Sequence, residues 1–305
     1  MKLPLNTTAT CTALWQCLCI VLSSFTVTVF AGLPAAAQSD LVQRGAYVIR
    51  AAGCLSCHTD KKGNGKEFAG GRALKTPFGT FYSPNITADK ETGIGNWSDE
   101  DFLRALKKGV RPDGARYFPV FPYTSYTLMS DQDALSVKAY LFSLPSVTRK
   151  NIDHDVGAPF GWRWPMRFWQ LMYFTAGDFV ADAKKDAEWN RGAYLATALT
   201  HCAECHTPRN FAGAVNKKMW MAGTRNGPGG DAVPNITPAP ASGLGWSIDQ
   251  LAFFLKTGTK PDWEAAAGVM GEAVTDGYKY LTDEDLRALA RYINTLPPIE
   301  NHIGG

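Results

Sequence analysis

Hydrophobic and polar positions change character along the chain. From about residue 13 to 33 the sequence is almost wholly apolar, and Lys2 is the only charge before Asp40. A weakly positive start, an apolar run and the small residues Ala35, Ala36 and Ala37 make the pattern of a secretory signal peptide over 1–37, cleaved near Ala37. The run is also near membrane-spanning length, so a retained N-terminal anchor is the alternative. Beyond it no second apolar run approaches that length. The pattern becomes intermittent and helical, as in the spacing of Leu135, Ala139 and Phe142. Helix starts carry a Ser or Thr with an acidic or amide residue three positions on: Ser98 with Asp101, Ser130 with Asp133, Ser247 with Gln250, Thr282 with Asp285. The helices before Pro145 and Pro297 stop there, because proline cannot continue them. Long Gly- and Pro-rich loops without alternation separate the helices, so strands are not expected and the predicted class is all-α. These helices are short and their apolar positions too few for a generous core. Something other than side chains must fill the middle.

The pattern occurs twice. "RGAYVIRAAGCLSCHT" from Arg44 returns as "RGAYLATALTHCAECHT" from Arg191, with one extra residue before the cysteines. "PNIT" recurs at Pro84 and Pro234, "GIGNWS" at Gly93 is echoed by "GLGWS" at Gly243, and "KKGVRPD" at Lys107 by "KTGTKPD" at Lys256. The last helices match as well, Met129–Pro145 with Leu281–Pro297. Two modules follow, 39–147 and 186–299, joined by a linker over 148–185. Gly45 and Gly192 stand in the first helix of each, where glycine costs ~1 kcal/mol relative to alanine. A missing side chain lets another helix approach closely, and Tyr140 and Tyr292 on the last helices are the expected partners.

Composition adds bounds. A chain of 305 residues with 45% hydrophobic and 19% charged residues is globular, and a net charge of +3 without a basic run excludes a nucleic-acid binder. Cysteine usage is more informative. Cys11, Cys17 and Cys19 fall in the leader; Cys54, Cys57, Cys202 and Cys205 remain, all in C-x-x-C-H motifs closed by His58 and His206. This is the attachment pattern of c-type haem. Two thiols at that spacing reach the two vinyl groups on one porphyrin edge, and the next imidazole can turn onto the iron. A disulfide framework would not require the histidines, a thioredoxin-like pair would come in a βαβ context, and a Cys₄ zinc site would strand both imidazoles. Two covalent haem c groups are therefore expected, with His58 and His206 as proximal iron ligands.

With the two C-x-x-C-H motifs, "GGRALKTPFGTFYSPNIT", "GIGNWSDEDFLRALKKGV" and "FPYTSYTLMSDQDALSVKAYLFSLP" on the page, the mature chain resembles a dihaem cytochrome c. It is similar to the cytochrome c subunits of periplasmic alcohol, aldehyde and sugar dehydrogenases. The resemblance implies two tandem cytochrome c domains, each wrapped around its haem. It implies electron transfer rather than catalysis, in the periplasm, from a periplasmic or membrane-associated dehydrogenase to a quinone, an oxidase or another cytochrome of a respiratory chain. The three-haem members of that group add a third module and a C-terminal membrane segment, and this sequence departs from them in both respects. Dihaem peroxidases also carry two such motifs and form the alternative; beyond the motifs they would have only His154, His201 and His302 to draw on.

Further site residues come from the repeat. Arg72 with Arg225, Asn85 with Asn235, and Trp97 with Trp246 occupy matching places and are expected donors to haem propionates. For the sixth iron ligand, module one holds a single methionine after His58, Met129, whereas module two has Leu281 at the matching position. Met270 is the expected ligand there, ahead of Met219 and Met221. The linker's "FGWRWPMRFWQLMYF", residues 160–174, either packs across both modules or forms a docking face for a dehydrogenase or a membrane edge.

Overall fold

In each module the first and last helices cross at glycine. A computed structural model describes residues 35–303; the leader read from the sequence lies outside the described residues up to position 34. In module one α1 (Ala35–Ala51) crosses α5 (Asp131–Ser143), and in module two α7 (Ala187–Tyr194) crosses α11 (Asp283–Asn294). A Cβ on Gly45 would lie 1.9 Å from the Ser136 carbonyl oxygen and 2.8 Å from Tyr140 Cβ. On Gly192 it would lie 1.9 Å from the Ala288 oxygen and 3.0 Å from Tyr292 Cβ. Both expected partners are in place. The extra residue before the second cysteine pair is absorbed by a π-helical turn, Leu195–Leu199, that continues α7.

Between crossing helices each module adds its attachment turn, α2 (Cys54–Cys57) or α8 (Cys202–His206), and a middle helix, α3 (Asp99–Lys108) or α9 (Ile248–Thr257). Ser98–Asp101 and Ser247–Gln250 form complete capping boxes at the middle helices, and Gly109 and Gly258 end them in the left-handed conformation. Before the last helix, module one has a single turn, α4 (Tyr123–Tyr126), where module two has the longer α10 (Gly268–Asp276). One departure from all-α is an antiparallel hairpin in module one, β1 (Ala73–Thr76) with β2 (Gly79–Tyr82). It is too short to show alternation, and its outer edge is held from the linker, where Thr80 and Asp155 exchange backbone hydrogen bonds of 2.8 and 2.9 Å.

The modules share a core. Val48, Ile49 and Leu141 belong to the same buried cluster as Leu195, Leu286 and Leu289. Polar contacts across the seam are reciprocal. Tyr47 donates to Asp285 and Tyr194 donates to Asp133, each at 2.5 Å. Within its own module each carboxylate also receives an arginine, Arg44 on Asp133 at 2.7 Å and Arg191 on Asp285 at 2.5 Å.

The linker joins both modules by one face of α6 (Met166–Tyr173). Trp169 donates its indole N–H to the Ala212 carbonyl of module two at 2.8 Å, and Gln170 accepts from Arg116 of module one at 2.7 Å. Its other face is bare: Phe168 is 56% and Leu171 83% exposed. Among the described residues no helix is long and apolar enough to cross a membrane.

Candidate haem sites

Each cysteine pair sits on a single helical turn, so both thiols point from one short, rigid element. The backbone must turn sharply to enter it, with Gly53 at φ +64° in module one and His201 at φ +41° in module two. At the end of each turn the histidine is fixed in the same way. His58 Nδ1 bonds the Pro84 carbonyl and His206 Nδ1 the Pro234 carbonyl, both at 2.8 Å. A carbonyl can only accept, so Nδ1 carries the proton and Nε2 keeps its lone pair for a metal. The repeated "PNIT" thus supplies the acceptor that orients each imidazole. Gly70 (φ +73°) and Gly223 (φ +81°) allow this approach: a Cβ on Gly70 would stand 2.4 Å from the Pro84 carbonyl carbon, and on Gly223 2.7 Å from that of Pro234. Sequence reasoning left the imidazole acceptors unassigned; two prolines at matching distance behind the two histidines were the available signal.

All four cysteines are free. Burial pushes the Cys54 thiol up to about 12. Burial, then Glu204 and, among weaker influences, the Cys57 thiol across the seam, raise Cys205 to about 12. Burial likewise raises Cys57 and Cys202, and it lowers both His58 and His206, leaving the imidazoles neutral. Yet none of the four cysteines is fully covered, and Cys57 is exposed. Protonated thiols on one turn, with a neutral imidazole aimed by its Nδ1, fit covalent haem. Among the described residues no three His, Cys, Asp or Glu side chains converge on a common point, as a zinc site would require.

The two attachment turns lie against each other's modules. Ser56 of the first turn donates to Asp276 of α10 at 3.1 Å, and Lys61 pairs with the same carboxylate at 2.5 Å. Glu204 of the second turn accepts from Thr124 at 2.6 Å and Ser125 at 2.8 Å, and also pairs with Arg209. His201 rests its ring against Tyr126 and points Nε2 at the Ala52 carbonyl, 3.4 Å away, just before the first turn.

The expected propionate donors differ in how far they are already engaged. Asn85 is fully engaged in holding loops: its Nδ2 donates to the Val147 carbonyl at 2.7 Å and to Thr92 at 3.1 Å, while its Oδ1 accepts from Thr87. Asn235 does the same with Ile299, Ser242 and Thr237. Neither has a donor left. Arg72 donates to the Ser56 carbonyl of its own module at 2.6 Å and across the seam to Glu272 at 2.5 Å, whereas the exposed Arg225 reaches only the His302 carbonyl at 3.0 Å. They are not equivalent in space. The half-buried Trp97 and Trp246 pack against the core, and their indole N–H groups bond no acceptor among the described residues. His154 of the linker is half-buried: Nδ1 accepts from the Tyr82 N–H at 3.2 Å, and the ring packs on Phe81 and Phe118.

The methionines occupy different kinds of place. Met270 lies on α10 one turn before the buried Val274, on the face turned to module two's core. Met221 is buried, its N–H bonded to Thr207, the residue after His206. Met129 is 1% exposed in the core directly before the cap Ser130, and Leu281, also 1% exposed, fills the matching position before Thr282.

A family model described as "Cytochrome c" matches residues 42–145 and again 190–297. Among curated relatives, a "Diheme cytochrome c-type" protein of Cereibacter sphaeroides is 40% identical over 89% of each chain. The "Fructose dehydrogenase cytochrome subunit" of Gluconobacter japonicus is 40% identical over 87% of this chain, which spans 54% of that relative. The "Gluconate 2-dehydrogenase cytochrome c subunit" of Pantoea cypripedii is 38% identical, with 85% of this chain covering 60% of it. Their names give no support to the peroxidase alternative.

Proposed function

Given that the chain belongs to the cytochrome c family and carries two covalent haem c groups, we propose that it takes electrons from a dehydrogenase and relays them between its haems to a respiratory acceptor. It is an electron-transfer protein, not a catalyst. Each haem supplies a one-electron iron couple; the chain's own residues attach it, aim the proximal imidazole and exclude water. The observation that carries the relay is the seam itself. Each attachment turn packs on the other module, so the cysteine-bearing edges of the two sites are neighbours within one rigid body. A carrier that moves electrons internally needs that proximity.

In module two His206 and Met270 would hold the iron, Met221 being tied by its backbone N–H to Thr207 beside His206. A thioether raises the potential and closes the iron to small ligands, which suits a carrier. The donor dehydrogenase docks on the outer face of the linker. There Trp162 and Trp164 stack at 6.4 Å, Phe168 meets Trp164 edge-on, and all are at least half exposed. An apolar patch of this kind on an otherwise charged surface marks a partner site. The leader directs the protein to the periplasm, where haem attachment and a dehydrogenase partner belong together.

The test is purification of the protein from a host that matures c-type cytochromes. Two haems should survive acid-organic extraction, the intact mass should correspond to a chain beginning near Gln38, and a substrate-reduced periplasmic dehydrogenase should reduce both haems. Extractable haem, one zinc per chain, or reduction by no dehydrogenase would overturn the reading.

A further inference from the structure

We infer that module one gives its iron no methionine, and that its haem is the binding site for a small neutral diatomic ligand. The inference rests on the reading of Met270 as module two's thioether. It follows from placing the two modules in register through their hydrogen bonds.

After the middle helix both modules run in step. The isolated bridge Val110–Arg116 corresponds to Thr259–Ala265, and Tyr117 N–H donates to the Gly109 carbonyl as Ala266 N–H does to Gly258. Continued in this register, Met270 falls on Phe121. Before the last helix the modules are again in step, displaced by the longer α10. Tyr126 donates its hydroxyl to the Ala52 carbonyl as Tyr278 does to Thr200, and Met129 N–H donates to Tyr126 as Leu281 N–H does to Tyr278. Counted back in that second register, Met270 falls on Phe118. Between the two lie only Pro119 and Val120. Whichever register holds, module one has Phe, Pro or Val where module two has its thioether, and none of these side chains carries a lone pair for iron.

Met129 does not make up the loss. It sits where Leu281 sits, buried to the same degree, with the same backbone bond and a hydroxyl capping residue after it, Ser130 or Thr282. A position that leucine fills in the twin module is a packing position, and methionine fills such gaps readily. His154 is held at the hairpin and His201 at the Ala52 carbonyl. What surrounds Phe121 is aromatic: Tyr117, Tyr123 and Tyr126 rings lie 5.2, 6.3 and 5.9 Å from it. Apolar walls penalise a charged ligand and accept a neutral one.

Carbon monoxide is the probe, with the methionine-to-iron charge-transfer band as an independent readout. The oxidised wild-type protein should show that band for one haem of two, and the reduced protein should bind one carbon monoxide per two haems. Met270→Leu should remove the band and Met129→Leu should leave both signals unchanged. Phe121→Met should add a second band and abolish carbon monoxide binding. Should Phe121→Met not fold, the Met129→Leu result decides alone. Two bands in the wild type, one of them lost in Met129→Leu, or no carbon monoxide uptake, would overturn the inference. A band that survives Met270→Leu would instead overturn the reading of module two.

Discussion

Tyr47 of module one stands between the N–H that opens the last helix of module two and a carboxylate on that helix. Its hydroxyl accepts from the Thr282 N–H at 3.2 Å and donates to Asp285 at 2.5 Å. In an ordinary capping box the carboxylate itself reaches back to that N–H. Here a side chain from the other module is inserted between them, and Tyr194 does the same between Ser130, at 3.1 Å, and Asp133. Module association and helix capping therefore use the same atoms.

Removing either hydroxyl should loosen the seam and fray a helix together. Tyr47→Phe is expected to cost about 1.5–3 kcal/mol, the range for a hydrogen bond to a charged group. Thermal unfolding of the holo-protein measures it. The double variant with Tyr194→Phe should expose α5 and α11 to hydrogen exchange from their first turns.

The same pair sets an alkaline limit. Burial, then the bond to the partner carboxylate, pushes Tyr47 and Tyr194 from 10 up to about 12. In that window the folded state keeps protons that the unfolded chain releases, so stability falls as pH rises from 10 to 12. The slope should flatten in the double phenylalanine variant. An identical slope in both proteins would exclude the tyrosines as its source.

Alanine at Gly45 or Gly192 should be among the most damaging small substitutions in the chain. The new methyl would meet a backbone carbonyl at 1.9 Å, and carbonyls in mid-helix cannot rotate away. The crossing must open, at the upper end of the ~1–3 kcal/mol that overpacking costs, or beyond it. Circular dichroism melts with haem retained would show the loss, and a change below 1 kcal/mol would contradict the crossing.

Gly70→Ala should act on one haem alone. Its Cβ would displace the Pro84 carbonyl from His58 Nδ1, weakening the bond that makes the imidazole a stronger donor. A poorer donor stabilises the reduced iron, so one potential should rise while the other stays within error. Potentiometric titration resolves the two.

Replacing Trp162 and Trp164 together by Ser should leave the melting temperature unchanged, because these rings face solvent while Trp169 and Gln170 hold the linker. Electron delivery from the dehydrogenase should weaken at least tenfold. Loss of stability with intact delivery would assign the rings to packing, and loss of vesicle binding alone would assign them to a membrane edge.

Much of this architecture was legible because chemistry repeats. The thiol spacing, the trailing histidines, and the glycines and tyrosines of the crossing are local patterns written twice, and the structure places them as read. Pairings between distant segments were not legible. Asn85 looks like a free donor until the Val147 and Thr92 acceptors arrive from elsewhere. Asp133 and Asp285 fit a local capping pattern whose carboxylates turn out to serve Arg44, Arg191 and the opposite module's tyrosine. The hairpin escaped because its pairing is completed by Asp155, far along the chain.

The reciprocal tyrosines have the form of an isologous contact, in which residue i of one copy meets j of the other and j meets i. Ordinarily two identical subunits make such a contact, and any mutation then strikes both halves at once. Here both copies are encoded in one polypeptide, so symmetry is kept where the halves grip each other and released elsewhere. Leu281 and Met129, or Phe121 and Met270, can diverge without disturbing Tyr47 and Tyr194. A homodimer could not differentiate its two redox centres in this way; tandem fusion permits one half to specialise while the other goes on conducting.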